Sequence, residues 1–190
     1  MESNSLTPEE KQILLRLARQ ALEDGVKQGK LPKIDLRTLP PRLREQGASF
    51  ITLTIKNELR GCIGALQAYQ PLAEDVREHA MAAALEDPRF PPVQANELNR
   101  IKIEVSHLTD PVVLQYSSAE DLLSKLRPHV DGVILRDGFR RATFLPQVWE
   151  KISDPAEFLE NLCYKMGAES NLWKHKHLVV QIYQVEEFHE

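Results

Sequence analysis

"FITLTIKNELRGCIGAL", residues 50–66, is the stretch that decides the fold. Its first part alternates apolar and polar side chains, with Ile51, Leu53 and Ile55 in one phase, as in a β-strand with one buried face. The polar "KNE" that follows predicts a turn, and "LRGCIGAL" predicts the strand that returns. The chain is therefore expected to form an antiparallel hairpin here.

A helix and a third strand follow this hairpin. Pro71 opens an alanine-rich segment that predicts a helix ending before Pro88, and "RIKIEVSHL", residues 100–108, alternates again as a strand. Near the N-terminus, "LTPEEKQILLRLARQALEDG", residues 6–25, predicts a further helix with Thr7 as its cap. The hairpin thus belongs to a unit of strand, strand, helix, strand.

The same order recurs in the second half of the chain. A hairpin, a helix and a strand make residues 131–188 a candidate repeat of residues 49–108, and either duplication or chance recurrence explains this. Aligning the predicted turns at Asn57 and Asp137 puts Ala142 in the place of Cys62. A duplication would therefore leave one thiol site. The predicted fold class is α+β, a two-lobed single domain over residues 1–190 with mostly antiparallel sheets and flanking helices.

Composition narrows the classes of partner. The 190 residues carry a formal net charge of −4 with acidic and basic residues interleaved, which disfavours nucleic acid. The polar N-terminus is unlike a signal peptide, and no apolar run approaches the ~18 residues that span a bilayer. The two cysteines, Cys62 and Cys163, suit a reducing compartment. A cytoplasmic protein without a membrane partner is expected.

Cys62 is the first candidate for chemistry. Regular alternation would place Arg60, Cys62 and Gly64 on one strand face, where a cation favours the reactive thiolate. The bare backbone at Gly61 and Gly64 would then leave room for a ligand or another backbone. Alternatively, Cys62 is a small buried side chain and the glycines mark close packing. Both interpretations stay open.

Two residues of the strand at 100–108 are candidate proton carriers. Glu104 is out of phase with the apolar residues, so it lines either a cleft or a solvated strand face. His107 is in phase with them, and a histidine in such a position is more often hydrogen-bonded at the edge of a core than a base.

Candidate binding residues lie in two loops. The three prolines of "EDPRFPPV", residues 86–93, stiffen the backbone around Arg89 and Phe90, which suits either a residue held ready for an anion or a partner, or else a rigid connector. This loop and the region of Pro146 and Gln147 are candidate walls of a cleft between the lobes.

No metal or cofactor is predicted. His175 and His177 lack a third ligand at a recognisable spacing, and Cys163 lies on the apolar stripe of its helix, where it should be part of the core. The chain has no glycine-rich phosphate loop, nucleophile elbow or HExxH motif.

The chain contains, in order, the motifs "LRGCIG", "DPRFPPV", "IEVS", "DGVIL", "FLPQVW" and "FLENLCYKMG". In these motifs it resembles the AMMECR domain family, also called AmmeMemoRadiSam system protein A, over nearly its whole length. The resemblance implies a two-lobed α+β domain with a cleft lined by the Arg-Gly-Cys-Ile-Gly motif. It also implies a gene often found beside genes for a Memo-like protein and a radical-SAM protein. His107 departs from the aliphatic residue expected at its position.

Two hypotheses of function follow. The first is an enzyme or enzyme subunit that uses Cys62 for thiol or redox chemistry on a small substrate in the cleft, with Arg60 as electrostatic partner and Glu104 or His107 as proton carrier. The second is a non-catalytic binding or adaptor module that acts with a Memo-like or radical-SAM partner.

Overall fold

The hairpin predicted from residues 50–66 is present in the computed structural model, which describes residues 5–190. Strand β1 (Gln46–Ile55) pairs antiparallel with β2 (Glu58–Gly64) through a turn at Lys56 and Asn57. Both turn residues have positive φ, 54° and 66°, the conformation that matches the right-handed twist of a tight hairpin. Strand β1 begins before the predicted start, at the short strand β3 (Gln70–Pro71) with which it also pairs.

Three helices accompany this hairpin in the first half of the chain. Helix α1 (Pro8–Gln28) begins with the predicted capping box, in which Thr7 and Glu10 exchange hydrogen bonds. A single turn, α2 (Pro41–Arg44), precedes β1, and α3 (Leu72–Leu85) follows β3. Helix α3 packs against α1 on one side and against β1 and β2 on the other.

Strand β4 (Ile101–Leu108) completes the predicted unit by pairing antiparallel with β1. Ile51, Leu53, Ile103 and Val105 are fully buried on the sheet face that meets the helices. The alternating apolar residues of β1 and β4 are thus the ones whose side chains face the helices. The alternate positions point to the opposite face of the sheet.

The second unit, Asp110–Val185, repeats this order of elements. Its helices are α4 (Ala119–Lys125), α5 (Pro155–Lys165) and α6 (Leu172–His175), and its strands are β5 (Val112–Val113), β6 (Gly132–Asp137), β7 (Arg140–Phe144) and β8 (Val179–Tyr183). The strands form an antiparallel sheet in the order β5-β8-β6-β7. Trp149 and Phe158 stack with 3.6 Å between ring centroids in the core of this unit.

The strand predicted at the end of the chain is two strands. After β8, strand β9 (Val185–His189) lies beside β4 in the first sheet, whose path is β2-β1-β4-β9. Residues 186–190 accordingly belong to the first unit with the residues up to Thr109. The predicted repeat boundary at residue 188 is therefore too late, because the open edge of β4 takes the end of the chain as its neighbour.

The two hairpin-helix-strand units have the same strand order, β2-β1-β4 and β7-β6-β8. Their turns do not align as predicted, since the first hairpin turns at Lys56 and Asn57 whereas the second turns after Asp137. Pairing each hairpin outward from its turn makes Gly61, rather than Cys62, the counterpart of Ala142. A duplication of the unit stays a prediction.

Within residues 5–190, none of the helices has the length and apolar character needed to cross a membrane.

Candidate functional site

Cys62 lies in a row of three side chains that crosses the first sheet. Thr52 of β1 pairs with Cys62 of β2 on one side and with Glu104 of β4 on the other. Neighbouring strands are ~4.8 Å apart, so the Cα atoms of Cys62 and Glu104 are separated by about 10 Å. The predicted thiol and the predicted carboxylate are therefore brought to one face.

This face is more polar than the helix-facing side. Its polar side chains on β1, β2 and β4 are Thr52, Thr54, Cys62, Lys102, Glu104 and Ser106, and its apolar ones are Ala48, Phe50, Leu59 and Leu108. Cys62 and Glu104 are partly exposed. Within residues 5–190, the carboxylate of Glu104 has no hydrogen-bond or ion-pair partner. The row thus combines an accessible thiol with an uncommitted carboxylate.

The thiol has a hydrogen-bond donor at its side. The Thr52 hydroxyl donates to Cys62 Sγ over 3.4 Å, which is within the range for sulfur acceptors. No pattern in the sequence indicates this contact, because it depends on the register between two strands.

The backbone of Cys62 is held by the loop that follows α3. Because β2 is an edge strand, its outward N–H and C=O groups have no strand partner. The N–H of Cys62 donates to Asp87 Oδ2 over 2.8 Å, and Arg89 Nη2 donates to the Cys62 carbonyl over 3.2 Å. The loop therefore pairs with the strand edge at Cys62 through two side chains.

Asp87 and Arg89 are also bound to each other. Arg89 Nε donates to Asp87 Oδ1 over 2.9 Å, and Nη2 donates to Oδ2 over 2.7 Å. Asp87 is buried, with 5% of its surface exposed. The Arg89 guanidinium and the N–H of Cys62 hold the pKa of the Asp87 carboxyl far below its usual range. The hydrogen bonds to Asp87 in turn raise the pKa of Arg89. Arg89 is thus the cation next to Cys62.

Arg60 does not have the role predicted for it. The pairing of β1 with β2 shifts between Leu53 and Thr54, so Arg60 is the extra residue of a β-bulge and regular alternation fails there. Its guanidinium binds Glu97 through two hydrogen bonds of 2.8 and 3.1 Å. The pair lowers the pKa of the Glu97 carboxyl. We therefore assign Arg60 to an ion pair with Glu97.

The two glycines of the motif are close-packing residues. A Cβ on Gly61 would lie 2.0 Å from the carbonyl oxygen of Ala83 in α3. A Cβ on Gly64 would lie 2.4 Å from both the Phe50 ring and the Ser49 carbonyl oxygen. The space that the sequence left open for a ligand at Gly61 and Gly64 is filled by the protein itself.

His107 lies on the wrong face to serve Cys62. It pairs with Ser49 of β1, and the Ser49 hydroxyl donates to Asp75 of α3 over 2.7 Å, which identifies the helix-facing side. His107 is buried there, with Nδ1 4.0 Å from Glu186 Oε2. The prediction of His107 as a proton carrier is therefore wrong, because the sheet separates it from the thiol.

A buried polar cluster between β1 and α3 was not predicted. Asp75 accepts from the Ser49 hydroxyl, and His79 Nδ1 lies 3.2 Å from the same carboxylate oxygen. The signal was available in part, since Asp75 and His79 are four residues apart on the buried face of α3. Asp75 bonds to both neighbours, so Ser49 is a donor to a carboxylate and not a hydroxyl activated by histidine.

The other predicted residues lie in three places. Phe90 lies 5.6 Å from the Arg89 guanidinium, measured to the ring centroid, and therefore flanks the site. Gln147 lies in the 3-10 helix Pro146–Glu150 of the second unit, and its role as a cleft wall stays a prediction.

His175 ends α6, and His177 stacks on Tyr116, so the two do not form an extended pair. Among the described residues, no group of three or more potential ligands could hold a metal ion.

The fold and the site together define an α+β protein whose first sheet presents a cysteine beside an aspartate–arginine pair. The family model AMMECR1 matches residues 15–188, and the chain belongs to that family. A protein of Thermofilum pendens is 39% identical, covering 97% of this chain and 92% of its own. A protein of Methanothermobacter thermautotrophicus is also 39% identical, covering 100% and 99%.

A solved structure confirms the fold. The crystal structure of uncharacterised protein PH0010 from Pyrococcus horikoshii is similar with a TM-score of 0.77 and 34% sequence identity, covering 97% of this chain and 93% of that one. The predicted family and the α+β fold class are thus confirmed. Because that protein is itself described as uncharacterised, family membership assigns no reaction.

Proposed function

We propose that this protein is an enzyme that uses the Cys62 thiol as a nucleophile towards a small electrophilic substrate on the polar face of the first sheet. The observation that carries this proposal is the row of Cys62, Thr52 and Glu104, with the backbone of Cys62 fixed by Asp87 and Arg89. A nucleophile, a proton acceptor and a fixed cation are the parts that thiol catalysis requires.

These residues support a first step in which the Cys62 thiol attacks the substrate and displaces a leaving group. In this step the Thr52 hydroxyl rotates away from the hydrogen bond that it donates to Cys62 Sγ, accepts the thiol proton and passes its own proton to the Glu104 carboxylate across the row. Sulfur forms a bond to the electrophilic carbon of the substrate, and the bond from that carbon to the leaving group breaks. The leaving group takes the electron pair of that bond and receives the proton from Glu104. Transfer of the bound group to water or another acceptor then restores the thiol.

Nucleophilic chemistry is better supported than dithiol redox chemistry. The chain has one other cysteine, Cys163, which is fully buried in the core of the second unit. Burial raises the pKa of the Cys163 thiol, so it is neither accessible nor readily ionised. A disulfide with Cys62 would require that core to open.

The accessible thiol should dominate alkylation of the folded protein. We expect iodoacetamide to modify Cys62 at least tenfold faster than Cys163, because the second sulfur is exposed only on unfolding. Peptide mapping by mass spectrometry at several pH values gives both rates. The Cys62→Ser variant is the control that assigns the fast phase. Equally slow modification of both cysteines would make Cys62 a structural side chain and end this proposal.

The proton carrier can be tested on the same reaction. We expect Glu104→Gln to lower the modification rate of Cys62 several-fold near neutral pH and to change its pH profile, because the amide cannot accept the thiol proton. The matched control is Lys102→Gln, which removes the other charge of β4 on this face. If Glu104→Gln leaves the pH profile of the Cys62 modification rate unchanged while Lys102→Gln changes it, Glu104 is excluded as the acceptor of the thiol proton.

A second candidate function is the adaptor. Leu59, Leu66 and Tyr69 flank the motif on both sides and are 43%, 38% and 54% exposed. Exposed apolar side chains of this size suit a protein partner, for which a Memo-like or radical-SAM protein is our proposal. Co-elution of purified partner and chain, lost in Leu59→Ser/Tyr69→Ser, would favour the adaptor. Retention of the complex by that variant would count against this surface.

A further inference from the structure

Arg89 is held in one orientation but keeps part of its guanidinium unused. Nε and Nη2 bind Asp87, and Nη2 also binds the Cys62 carbonyl. Its third nitrogen, Nη1, has no hydrogen-bond partner in residues 5–190, and the side chain is 54% exposed. Two donors therefore face solvent on a side chain that has already lost its rotational freedom.

Such a guanidinium is suited to an oxyanion. A planar arginine fixed by a carboxylate presents its remaining donors in a defined direction, so a ligand does not have to order the side chain on binding. Arg89 lies outside the edge strand, whereas Glu104 lies two strands inward from Cys62. The thiol is thus between a cation and a carboxylate, which orients a substrate along the row.

We propose that the substrate carries a carboxylate or phosphate group that binds the Nη1 side of Arg89 while its electrophilic carbon lies next to Cys62 Sγ. This inference rests on the proposed function and names the class of its substrate. The end of the molecule opposite the anion points towards Glu104, which would repel a second negative charge. Substrates with one anionic end are therefore accepted, and those with anions at both ends are not.

The competing role for Arg89 is structural, as a group that pairs with the edge of β2. Both roles keep the bonds to Asp87 and to the Cys62 carbonyl. Only the recognition role makes the reactivity of Cys62 depend on the charge of the reagent. The test must therefore compare two reagents that differ in charge and hardly in shape.

Iodoacetate and iodoacetamide are such a pair. In both reactions sulfur bonds to the CH₂ carbon, iodide leaves with the electron pair of the C–I bond, and the thiol proton passes by way of Glu104 to the buffer. We expect the ratio of iodoacetate to iodoacetamide rates to be about tenfold higher at Cys62 than in the urea-unfolded chain. The ratio cancels any change in the thiolate population, so it reports recognition alone.

Substitution assigns the preference to Arg89. We expect Arg89→Gln to bring the ratio down to the unfolded value and Arg89→Lys to retain part of it. The matched control is Arg37→Gln, because Arg37 forms the same Asp-x-Arg pair with Asp35 and has no bond to β2. Acetate and inorganic phosphate, added as competitors to the wild-type protein, distinguish the two anions: the better group slows iodoacetate labelling at the lower concentration.

The outcomes separate the inference from the proposed function. Fast modification of Cys62 with no preference for iodoacetate, and no protection by acetate or phosphate, would overturn the anionic substrate while leaving the nucleophile in place. A preference that survives in Arg89→Gln would likewise overturn it. Slow modification by both reagents would overturn the nucleophile, and the substrate class with it. If Arg89→Gln does not fold, the wild-type ratio and the competition decide.

Discussion

Replacing Gly61 by valine is expected to lower the free energy of unfolding of the first unit by about 3 kcal/mol or more. A Cβ at this position would lie 2.0 Å from the carbonyl oxygen of Ala83, a backbone atom of α3 that cannot rotate away. Strand β2 or the helix must shift, and the packing between them is lost. The loss exceeds the effect of strand propensity, which favours valine over glycine.

The measurement is urea unfolding of the variant beside a control on the same strand. Leu59→Val introduces the same side chain two residues earlier, where the native residue is 43% exposed, and should change stability by no more than about 0.5 kcal/mol. Alkylation of Cys62 gives a second measurement, because a displaced β2 moves the thiol away from Thr52. A Gly61→Val protein as stable as Leu59→Val would mean that β2 and α3 are not packed as closely as described.

The elements of the first unit could be predicted because each has a local cause. Alternation defines β1 and β4, the capping box defines the start of α1, and Pro71 precedes α3. The polar phase of β4 correctly placed Glu104 on the face away from the helices, and the apolar phase placed His107 in the core. The alternation of polar and apolar residues along β4 was enough to predict the sheet face of each of these two residues.

Other features of the site depend on pairing that no single strand encodes. The bulge at Arg60 breaks the alternation from which its position was predicted, and nothing in "LRGCIG" marks it. Glycine is needed at position 61 because α3 packs closely against β2 there, and this is a tertiary contact. Arg89 was predicted either as a residue held ready for an anion or partner or as part of a rigid connector, and Asp87, which holds it, was missed. An aspartate two residues before an arginine is a signal that can be sought, since Asp35 and Arg37 form the same pair.

The split of the last strand has a similar cause. "HLVVQIYQVEEF" reads as one alternating segment, yet β8 belongs to the second sheet and β9 to the first. Alternation identifies strands without indicating which sheet they join. Strand β9 joins the first sheet because the edge of β4 is open there. No pattern within the segment itself indicates this pairing.

Replacing Asp87 by asparagine should destabilise the protein by roughly 1–3 kcal/mol at neutral pH, because a charge-assisted pair and a backbone contact are weakened together. The amide can still accept from the N–H of Cys62 but cannot hold Arg89 through two oxygens. Arg89 then regains its mobility. The same variant should therefore lose most of the charge preference in the alkylation of Cys62.

The dependence on pH follows from the lowered pKa of Asp87. A carboxyl whose pKa is depressed in the folded state stabilises the protein fully above its unfolded value of about 3.9, and this contribution is lost as the pH falls through the folded value. The difference in unfolding free energy between wild type and Asp87→Asn should be constant above about pH 5 and shrink below about pH 4. Other acidic groups titrate in both proteins and cancel in the difference.

The exposed pair of Asp35 and Arg37 supplies the matched control for this last prediction. Its hydrogen bonds have the same pattern, but it holds no strand, and the side chains are 48% and 86% exposed. Asp35→Asn should therefore change stability little at any pH, because solvent already screens that pair. A difference for Asp87→Asn that stays constant down to pH 3, or one equal to that of Asp35→Asn, would show that the carboxylate of Asp87 does not hold β2 at Cys62.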